Sequence, residues 1–379
     1  MDKRKKLNWI YKFTPWLYNL AIILCCTYVG VKIRLWLNMV FKAETAIPVI
    51  IVSAIMIIGG FTVGKHCLVA KNKFLTYIAG FSAFISIYLF MFFLILDLST
   101  LILKIFIKNS LFFDNFFLYG GFLCLGIVLF LTIYGFIKVQ NIKTVNYEVK
   151  IKGFNEQYRI VLLSDLHIGH YIGARHIKKV VQAVNNLRGD IVLISGDLIN
   201  YKNTNECNEI STVSQILSEL NSKEGTFAVV GNHDPDALDP EFQRFLKDSN
   251  IYLLEDDIYS NDKLHILGRT TKLKPRMSIK QMKEKIHDNL PIFIMDHDPM
   301  GIKEAIDEDA DLIMCGHTHK GQVFPFNLFV RFLYNKSEAY GISKSGKTYS
   351  VVSAGTGYFS MPMRLGSDCE VICIDIKGY

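Results

Sequence analysis

The sequence predicts an N-terminal all-α transmembrane region of about four helices, followed by an α/β domain. Half of the 379 residues are apolar, and they are concentrated before about residue 138. From about Tyr147 onward, short apolar runs alternate with amphipathic stretches, as in domains that layer helices on sheets. We therefore expect a membrane anchor over residues 1–140 and a second domain over residues 147–379.

Four apolar segments approach the roughly 20 residues that a helix needs to cross a bilayer. They cover residues 13–31, 47–64, 74–96 and 116–137, of which 47–64 is the shortest. Gly59-Gly60 and Gly120-Gly121 fit such helices, because small residues allow close packing in lipid. The first segment lacks a small-residue cleavage site, so it is predicted to stay as an anchor rather than act as a signal peptide.

The distribution of Lys and Arg predicts the orientation in the membrane. With the N-terminus inside, the inner flanks carry twelve of these residues and the outer loops five, as the positive-inside rule requires. An even number of spans then places the C-terminal domain in the cytoplasm, and one span fewer would reverse this. Asp97 and Lys104 lie near a segment end, where we expect solvation. Without intramembrane charges, a transporter with an attached domain is disfavoured.

Composition argues against nucleic acid as the main partner. The net charge is only +7, and the cluster Lys3-Arg4-Lys5-Lys6 adjoins an apolar segment, which is typical of a cytoplasmic flank. No basic stripe interleaved with aromatic residues occurs elsewhere. The eight cysteines form no Cys-x-x-Cys and are interpreted as buried thiols.

The second domain alternates predicted strands with predicted helices. The strands are 147–152, 159–163, 190–195, 226–230, 264–268, 292–295, 311–315, 348–353 and 370–376. The helices are 176–187, 212–220, 240–247, 279–286 and 302–307. This alternation predicts a layered α/β structure.

Five of these strands end in residues that can bind a metal. Side chains two apart on an extended backbone share a face, so a carboxylate and an imidazole emerge together after the first of them. In α/β sheets, ligands bind beyond the carboxyl ends of the strands. The residues at the five ends are Asp165 and His167, Asp197, Asn232 and His233, His297, and His317 and His319. We expect them to share one cleft.

The donor set indicates two metal ions. Its nitrogen and oxygen ligands suit Zn, Fe, Mn or Ni, and it contains no thiolate. Asn232 and His233 are neighbours on one turn and cannot easily face one ion together, so we count seven donors. Seven exceed one tetrahedral shell but fit two divalent ions about 3.5–4 Å apart with a bridging carboxylate. Such a pair supplies hydroxide near neutral pH and neutralises a phosphate, which is what hydrolysis of a phosphoester requires.

In its series of motifs the chain resembles the calcineurin-like metallophosphoesterases. The motifs are Asp165-x-His167, Gly196-Asp197, Gly231-Asn232-His233-Asp234, His297 and Gly316-His317-Thr318-His319. The resemblance covers roughly residues 150–379. Residues 321–325, 355–357 and 362–365 are similar to the membrane-associated bacterial branch that includes the YkuE-like and YaeI-like phosphodiesterases. Lys320 departs from the glycine of the family pattern.

The resemblance implies a fold and residue roles. The fold would be a four-layer α/β/β/α sandwich with two mixed sheets. Asp165, His167 and His319 would bind the first metal, and Asp197 would bridge. Asn232, His297 and His317 would bind the second. His233 would be catalytic rather than a ligand, stabilising the phosphoryl oxygens or protonating the leaving group.

Several residues near the motifs have two interpretations. Asp234 and Asp298 either orient ligands or form turns. His170 lines the cleft or is a solvated loop residue, and His265 is interpreted as structural or exposed. The apolar run 324–334 is either a lip that touches a bilayer or lipid tail, or a segment packed on its own core, which we favour.

The combined features predict an integral membrane protein whose dinuclear centre hydrolyses a phosphodiester, phosphomonoester or pyrophosphate bond by metal-activated hydroxide. Anchoring near lipid suggests a lipid-linked or headgroup phosphate; a soluble nucleotide or a cell-wall polymer is the alternative. Among enzymes the second candidate is a protein phosphatase. From another class, the chain would be a catalytically silent membrane sensor or scaffold with the same fold. The sequence predicts neither the substrate, the metals nor the oligomeric state.

Overall fold

A computed structural model describes residues 3–42, 44, 49, 51, 53–56, 73–154, 156–169, 171–200, 209–334 and 338–379. The chain divides into two compact units. Unit 1 comprises Met1–Tyr134 and Ser360–Pro362, and unit 2 comprises Gly135–Phe359 and Met363–Tyr379. Each unit is described by itself below.

The N-terminal helices are α1 (Lys3–Phe41), α2 (Lys73–Leu103) and α3 (Ser110–Lys138). Among the described residues, these three helices are long and apolar enough to cross a membrane, over Asn19–Phe41, Lys73–Leu103 and Ser110–Lys138. The structure thus gives about three spans rather than the four predicted. The remaining predicted segment, 47–64, lies largely outside the described residues.

Polar contacts link helices α1 and α2 of unit 1. Nζ of Lys32 on α1 lies 2.6 Å from Oδ2 of Asp97 on α2, and the hydroxyl of Tyr28 donates to the same oxygen at 2.6 Å. Asp97 is therefore paired with Lys32, while its side chain is 33% exposed. Close packing explains Gly121, because a Cβ there would collide with the ring of Trp36.

Unit 2 contains two six-stranded mixed sheets. The first sheet has the order β1-β12-β2-β3-β4-β5, and the second has the order β10-β11-β9-β8-β7-β6. The strands are β1 (Ile142–Ile151), β2 (Tyr158–Leu163), β3 (Ile191–Ser195), β4 (Thr226–Val229), β5 (Ile251–Leu253), β6 (Asp257–Ser260), β7 (His265–Gly268), β8 (Ile292–Met295), β9 (Leu312–Cys315), β10 (Gly341–Ser345), β11 (Thr348–Val352) and β12 (Cys369–Gly378). Strands β2–β5 run parallel, as do β7, β8, β9 and β11.

The helices of unit 2 are short apart from the first. They are α4 (Ala174–Leu187), α5 (Ile210–Leu217), α6 (Pro240–Asp248), α7 (Ile279–Lys283), α8 (Ile302–Asp307) and α9 (Phe326–Leu333). Helix α6 begins as predicted, since Asp239 accepts hydrogen bonds from two backbone N–H groups and Pro240 occupies the first position.

Alternation along the strands divides the core into layers. On β2, Leu162 faces the second sheet, whereas Leu163 faces α4–α6. On β9, Met314 faces the first sheet, whereas Ile313 packs with α7 and α8. Because adjacent strand residues point to opposite faces, each strand supplies two apolar layers. The α/β/β/α sandwich implied by the resemblance is confirmed.

The predicted strands of unit 2 all form, but several elements were missed. Strands β5, β6 and β10 were not predicted, because each is short or largely polar and makes an edge or near-edge pairing that depends on its neighbour. Helix α9 was not assigned because its sequence is apolar throughout most of its length. Predicted helices 212–220 and 279–286 end early, at Leu217 and Lys283.

Candidate metal centre

The eight residues singled out by the sequence come together at the carboxyl ends of five parallel strands. The chain leaves β2, β3 and β4 of the first sheet and β8 and β9 of the second toward the same edge. The residues at these ends are Asp165 and His167, Asp197, Asn232 and His233, His297, and His317 and His319. They form two adjoining groups.

The first group consists of Asp165, His167 and His319. Nε2 of His167 lies 3.0 Å from Nε2 of His319, which in turn lies 3.3 Å from Oδ1 of Asp165. Oδ1 of Asp165 also lies 3.9 Å from Nε2 of His167. The three donor atoms converge closely enough to share one metal ion.

The second group consists of Asn232, His297 and His317. Nε2 of His297 lies 3.0 Å from Oδ1 of Asn232 and 3.2 Å from Nδ1 of His317. The carbonyl oxygen of Ser195 lies 2.8 Å from Nδ1 of His297 and orients this ring.

Asp197 lies between the two groups. Its Oδ2 is 3.6 Å from Nε2 of His167 in the first group and 3.3 Å from Nε2 of His297 in the second. Its Oδ1 accepts a hydrogen bond of 2.9 Å from the backbone N–H of His233. One carboxylate oxygen thus faces both groups, which is the arrangement a bridging ligand needs.

The donor chemistry of the second group fits a cation. The Ser195 carbonyl can only accept, so Nδ1 of His297 carries a proton and Nε2 of a neutral ring carries a lone pair. That nitrogen faces the oxygens of Asn232 and Asp197. A lone pair and two oxygens that converge in this way offer three donor atoms to a metal ion.

The pKa shifts differ between the histidines of the two groups. Burial lowers the pKa of His167 to about 3 and that of His319 well below its usual value, so both rings are neutral, as metal ligands must be. Burial also acts to lower the pKa of His297, but the carboxylate of Asp197 outweighs it and raises this pKa to about 10. Burial raises the pKa of Asp165 to about 6.

Two glycines in the motifs are required by close approach to the carboxylates. A Cβ on Gly231 would collide with Oδ1 of Asp197, and a Cβ on Gly316 would collide with Oδ2 of Asp165. Each glycine precedes a donor residue, so the backbone carrying that donor passes directly over a carboxylate of a different strand end. This explains the recurrence of glycine in the motifs.

Five of the donor residues have left-handed backbone conformations. The φ angles are 51° for Asp165, 46° for His167, 54° for Asp197, 71° for His317 and 48° for His319. Such conformations cost of order 1–3 kcal/mol each for residues other than glycine, and they are concentrated at functional sites. The fold thus maintains a strained arrangement at the strand ends that glycine would adopt more easily.

His233 lies beside the first group and is half-buried. Its ring centroid is 5.3 Å from that of His167 and 4.6 Å from that of Phe359. Burial lowers the pKa of His233. Phe359 also lies 5.0 Å from the ring of His167 and forms an apolar wall that the sequence did not predict.

The neighbouring polar residues have mainly structural contacts. Asp234 accepts from the backbone N–H groups of Ile199 at 2.8 Å and Gly231 at 2.7 Å, so it ties two strand-end loops together. Asp298 caps the short helical turn that begins at Pro299. His265 is buried and bonds Asp288, which confirms its structural interpretation. His170 lies outside the described residues.

Arg364 is a residue whose role the sequence did not reveal. It is fully buried, and its guanidinium donates to the carbonyl oxygens of Ala354 at 2.7 Å and Gly357 at 2.6 Å. One guanidinium nitrogen lies 3.4 Å from Nδ1 of His319, and another lies 3.4 Å from the carbonyl oxygen of the same residue. Arg364 therefore positions His319. The motif 362–365 was its signal, although a buried arginine cannot be distinguished from an exposed one by sequence.

Comparison with known proteins agrees with this geometry. Residues 158–321 match the calcineurin-like phosphoesterase family. The chain is 28% identical to a transmembrane protein with metallophosphoesterase domain from Danio rerio, over 67% of this chain and 62% of that protein. It is 31% identical to a protein of the same name from Bos taurus, over 56% of this chain and 51% of that protein.

A bacterial relative is also similar. The metallophosphoesterase YkuE of Bacillus subtilis is 24% identical over 64% of this chain and 88% of its own length. The matches to the Danio rerio and Bos taurus proteins cover less than two thirds of those relatives. The family match spans the first of the five strand ends through the last. Residues 158–321 of this chain are thus similar to the calcineurin-like phosphoesterases, and the candidate metal centre lies within them.

Proposed function

We propose that this protein is a membrane-anchored phosphoesterase with a dinuclear metal centre, which hydrolyses a phosphodiester, phosphomonoester or pyrophosphate bond. The observation that carries the proposal is the position of Oδ2 of Asp197, 3.6 Å from His167 and 3.3 Å from His297. A carboxylate with a donor group on each side is what two ions sharing one ligand require.

The proposed ligands follow the two groups. Asp165, His167 and His319 would hold one divalent ion, Asn232, His297 and His317 would hold the other, and Asp197 would bridge. Mn, Fe, Zn and Ni all suit this set of nitrogen and oxygen donors. When bound, the ions lower the pKa of water and neutralise charge on the phosphate.

The remaining roles fall to residues of the chain itself. We assign His233 to the phosphoryl oxygens or the leaving-group oxygen, because its half-buried ring lies beside His167. A neutral imidazole at this position donates a hydrogen bond, and a protonated one supplies the proton that the departing oxygen needs. Phe359 would exclude water from the side of the cleft next to His167 and His233.

The three apolar helices support membrane anchoring of the enzyme. We propose that the catalytic domain faces the cytoplasm, as the excess of basic residues on the inner flanks predicts. This orientation requires that the segment 47–64, which lies largely outside the described residues, is a fourth span, since the three described helices alone would put the domain on the other side. A lipid-linked phosphoester is the proposed substrate class.

The test is hydrolysis of bis-p-nitrophenyl phosphate by the full-length protein in detergent, with Mn, Fe, Zn or Ni added after chelation. We expect activity with at least one metal, and we expect His317→Ala to abolish it. His287→Ala is the matched control, because His287 is exposed. No activity with any metal, together with a wild-type-like His317→Ala protein, would favour the catalytically silent sensor or scaffold.

A further inference from the structure

Helix α9 (Phe326–Leu333) exposes an apolar face next to the candidate metal centre. Phe332 is 84% exposed, and the other apolar residues of this face are Phe324, Phe326, Leu328, Phe329 and Leu333. The expectation that the run 324–334 packs on its own core was therefore wrong. A contiguous apolar patch of this kind marks a binding surface in a folded protein.

The position of α9 is determined by the metal-binding motif that precedes it. Gly321 packs against the first turn of the helix so closely that a Cβ would collide with the backbone of Asn327. After the helix, the hydroxyl of Thr318 donates to the carbonyl oxygen of Ala339 at 2.8 Å. The segment that contains α9 is thus held at both of its ends to the turn carrying His317 and His319.

Tyr334, in the same segment, contacts a donor residue of the candidate metal centre. The ring centroid of Tyr334 lies 6.2 Å from that of His317, in an edge-to-face arrangement. Tyr334 follows the last residue of α9 directly. The apolar helix is consequently part of the rim of the candidate metal centre.

Helix α9 also lies at the end of unit 2 where the chain enters. The backbone N–H of Phe324 donates to the carbonyl oxygen of Leu365 at 2.7 Å. Three residues farther along that segment, Asp368 lies 3.0 Å from Nζ of Lys138, at the end of α3. Only residues 139–141 separate α3 from β1, and three residues span at most about 10 Å.

The composition of α9 favours a bilayer as the occupant of its apolar face. The helix carries phenylalanine and leucine outward, has no acidic residue and exposes one cation, Arg331. Apolar side chains enter the interface between lipid headgroups and acyl chains, and an arginine at that depth meets anionic headgroups. The last apolar helix, α3, leads into the domain at this same end.

We propose that α9 inserts its outward face into the bilayer interface and that the metal centre acts on the phosphoester of a lipid held there. The insertion of α9 is inferred from its exposed apolar face and from the contacts that attach this helix to the turn carrying His317 and His319. The substrate class rests on the proposed function. The two parts are therefore tested separately.

Insertion is tested by photo-crosslinking of the full-length protein in nanodiscs of phosphatidylcholine and phosphatidylglycerol. Phe332→p-benzoylphenylalanine should yield lipid adducts by mass spectrometry. The matched control is Tyr252→p-benzoylphenylalanine, since Tyr252 is an exposed aromatic residue on strand β5. Equal lipid labelling from both positions, or crosslinks from position 332 to a second copy of the chain, would overturn the proposal.

The substrate class is tested with two esters that share a leaving group. Hexadecyl p-nitrophenyl phosphate in phosphatidylcholine vesicles is compared with methyl p-nitrophenyl phosphate in solution. We expect wild type to prefer the hexadecyl ester. Phe332→Glu should reduce kcat/KM for the hexadecyl ester by about tenfold more than for the methyl ester, since the substitution removes one aromatic side chain that the proposal buries in the bilayer. Tyr252→Glu should leave the ratio unchanged.

The outcomes separate the two proposals. If wild type hydrolyses neither ester, the proposed function fails, and the crosslinking result still decides whether α9 contacts lipid. If both esters are hydrolysed with a ratio that Phe332→Glu does not change, the phosphoesterase proposal stands and the lipid substrate is excluded.

Discussion

Oδ2 of Asp197 lies 3.3 Å from Nε2 of His297, and the same oxygen lies 3.6 Å from Nε2 of His167. The two histidines follow strands of different sheets, so Asp197 joins the two halves of the sandwich at the candidate metal centre. Burial acts to raise the pKa of Asp197, but His297 and its hydrogen bond hold this pKa below its usual value. The carboxylate is therefore ionised and available to cations on both sides.

Replacing Asp197 with Asn should remove the proposed shared ligand of two metal ions. We expect Asp197→Asn to bind fewer than two ions per chain. We also expect its activity to fall by more than roughly 10–100-fold, which is the usual loss when a residue that only hydrogen-bonds a metal ligand is replaced. Metal content after dialysis and hydrolysis of bis-p-nitrophenyl phosphate measure the two effects. Asp307→Asn, at an exposed position, is the control. Two retained ions in Asp197→Asn would contradict a bridging role.

The left-handed backbone at His319 should make glycine more stable than alanine there. Because φ is 48°, we expect His319→Gly to exceed His319→Ala in free energy of unfolding by about 1 kcal/mol. Both variants remove the ring, so the comparison isolates the backbone. Urea denaturation in chelator measures it.

The control pair is at His297, which is not among the residues with positive φ. There, alanine should be the more stable of the two by roughly 0.5–1 kcal/mol, since glycine loses more conformational entropy on folding. An advantage for glycine at both positions, or at neither, would contradict strain at His319.

His176 should make the fold less stable in acid. It is buried, its Nε2 lies 3.1 Å from the carbonyl oxygen of Thr356, and burial lowers its pKa to about 4. Between pH 6.5 and 4 the unfolded chain takes up a proton that the folded protein does not, so stability falls as pH falls. Between pH 7.5 and 5 the loss from this residue is about 2 kcal/mol.

The comparison with His176→Gln isolates that contribution. Glutamine keeps an N–H donor near the Thr356 carbonyl but does not titrate, so its denaturation midpoint should fall less than that of wild type between pH 7.5 and 5. All other titrating groups are common to the two proteins. Parallel pH profiles would exclude His176 as the cause.

The ion pair between Lys32 and Asp97 should stabilise unit 1. Removing one partner leaves a charge in apolar surroundings, so we expect Lys32→Met or Asp97→Asn alone to lower stability by about 1–3 kcal/mol. The double variant should recover part of that loss, because neither charge then remains unpaired. Thermal denaturation in detergent measures the cycle. Additive losses would show that the pair contributes nothing.

Strand ends were the most predictable part of this protein. Apolar runs of four to six residues that stop at Gly, Asp or His identify both a buried strand and the donor that follows it. Asp165, Asp197 and His317 were found in this way, because the parallel ends of a sheet meet at one edge. His297 was placed mainly by its order in the motifs, and the structure brings it to the centre of the second group.

Other features depended on contacts that no local pattern contains. The apolar face of α9 could equally have been core, because a sequence of phenylalanine and leucine does not say whether a partner layer exists above it. Arg364 could equally have been exposed, since only the convergence of backbone carbonyl groups makes burial of its charge tolerable. The pairing of Asp97 with Lys32 likewise joins residues that are 65 positions apart in the sequence.

The sequence by itself determined the division into an apolar and an α/β part, nine of the twelve strands of the sandwich and the set of candidate metal-binding residues, because periodicity and strand-end motifs are local properties of the chain. Only the tertiary structure decided that Asp197 stands between two donor groups, that five donor residues adopt left-handed conformations and that α9 lies exposed at the rim. These depend on how distant strands pack, and packing is a property of the whole chain rather than of any segment in it.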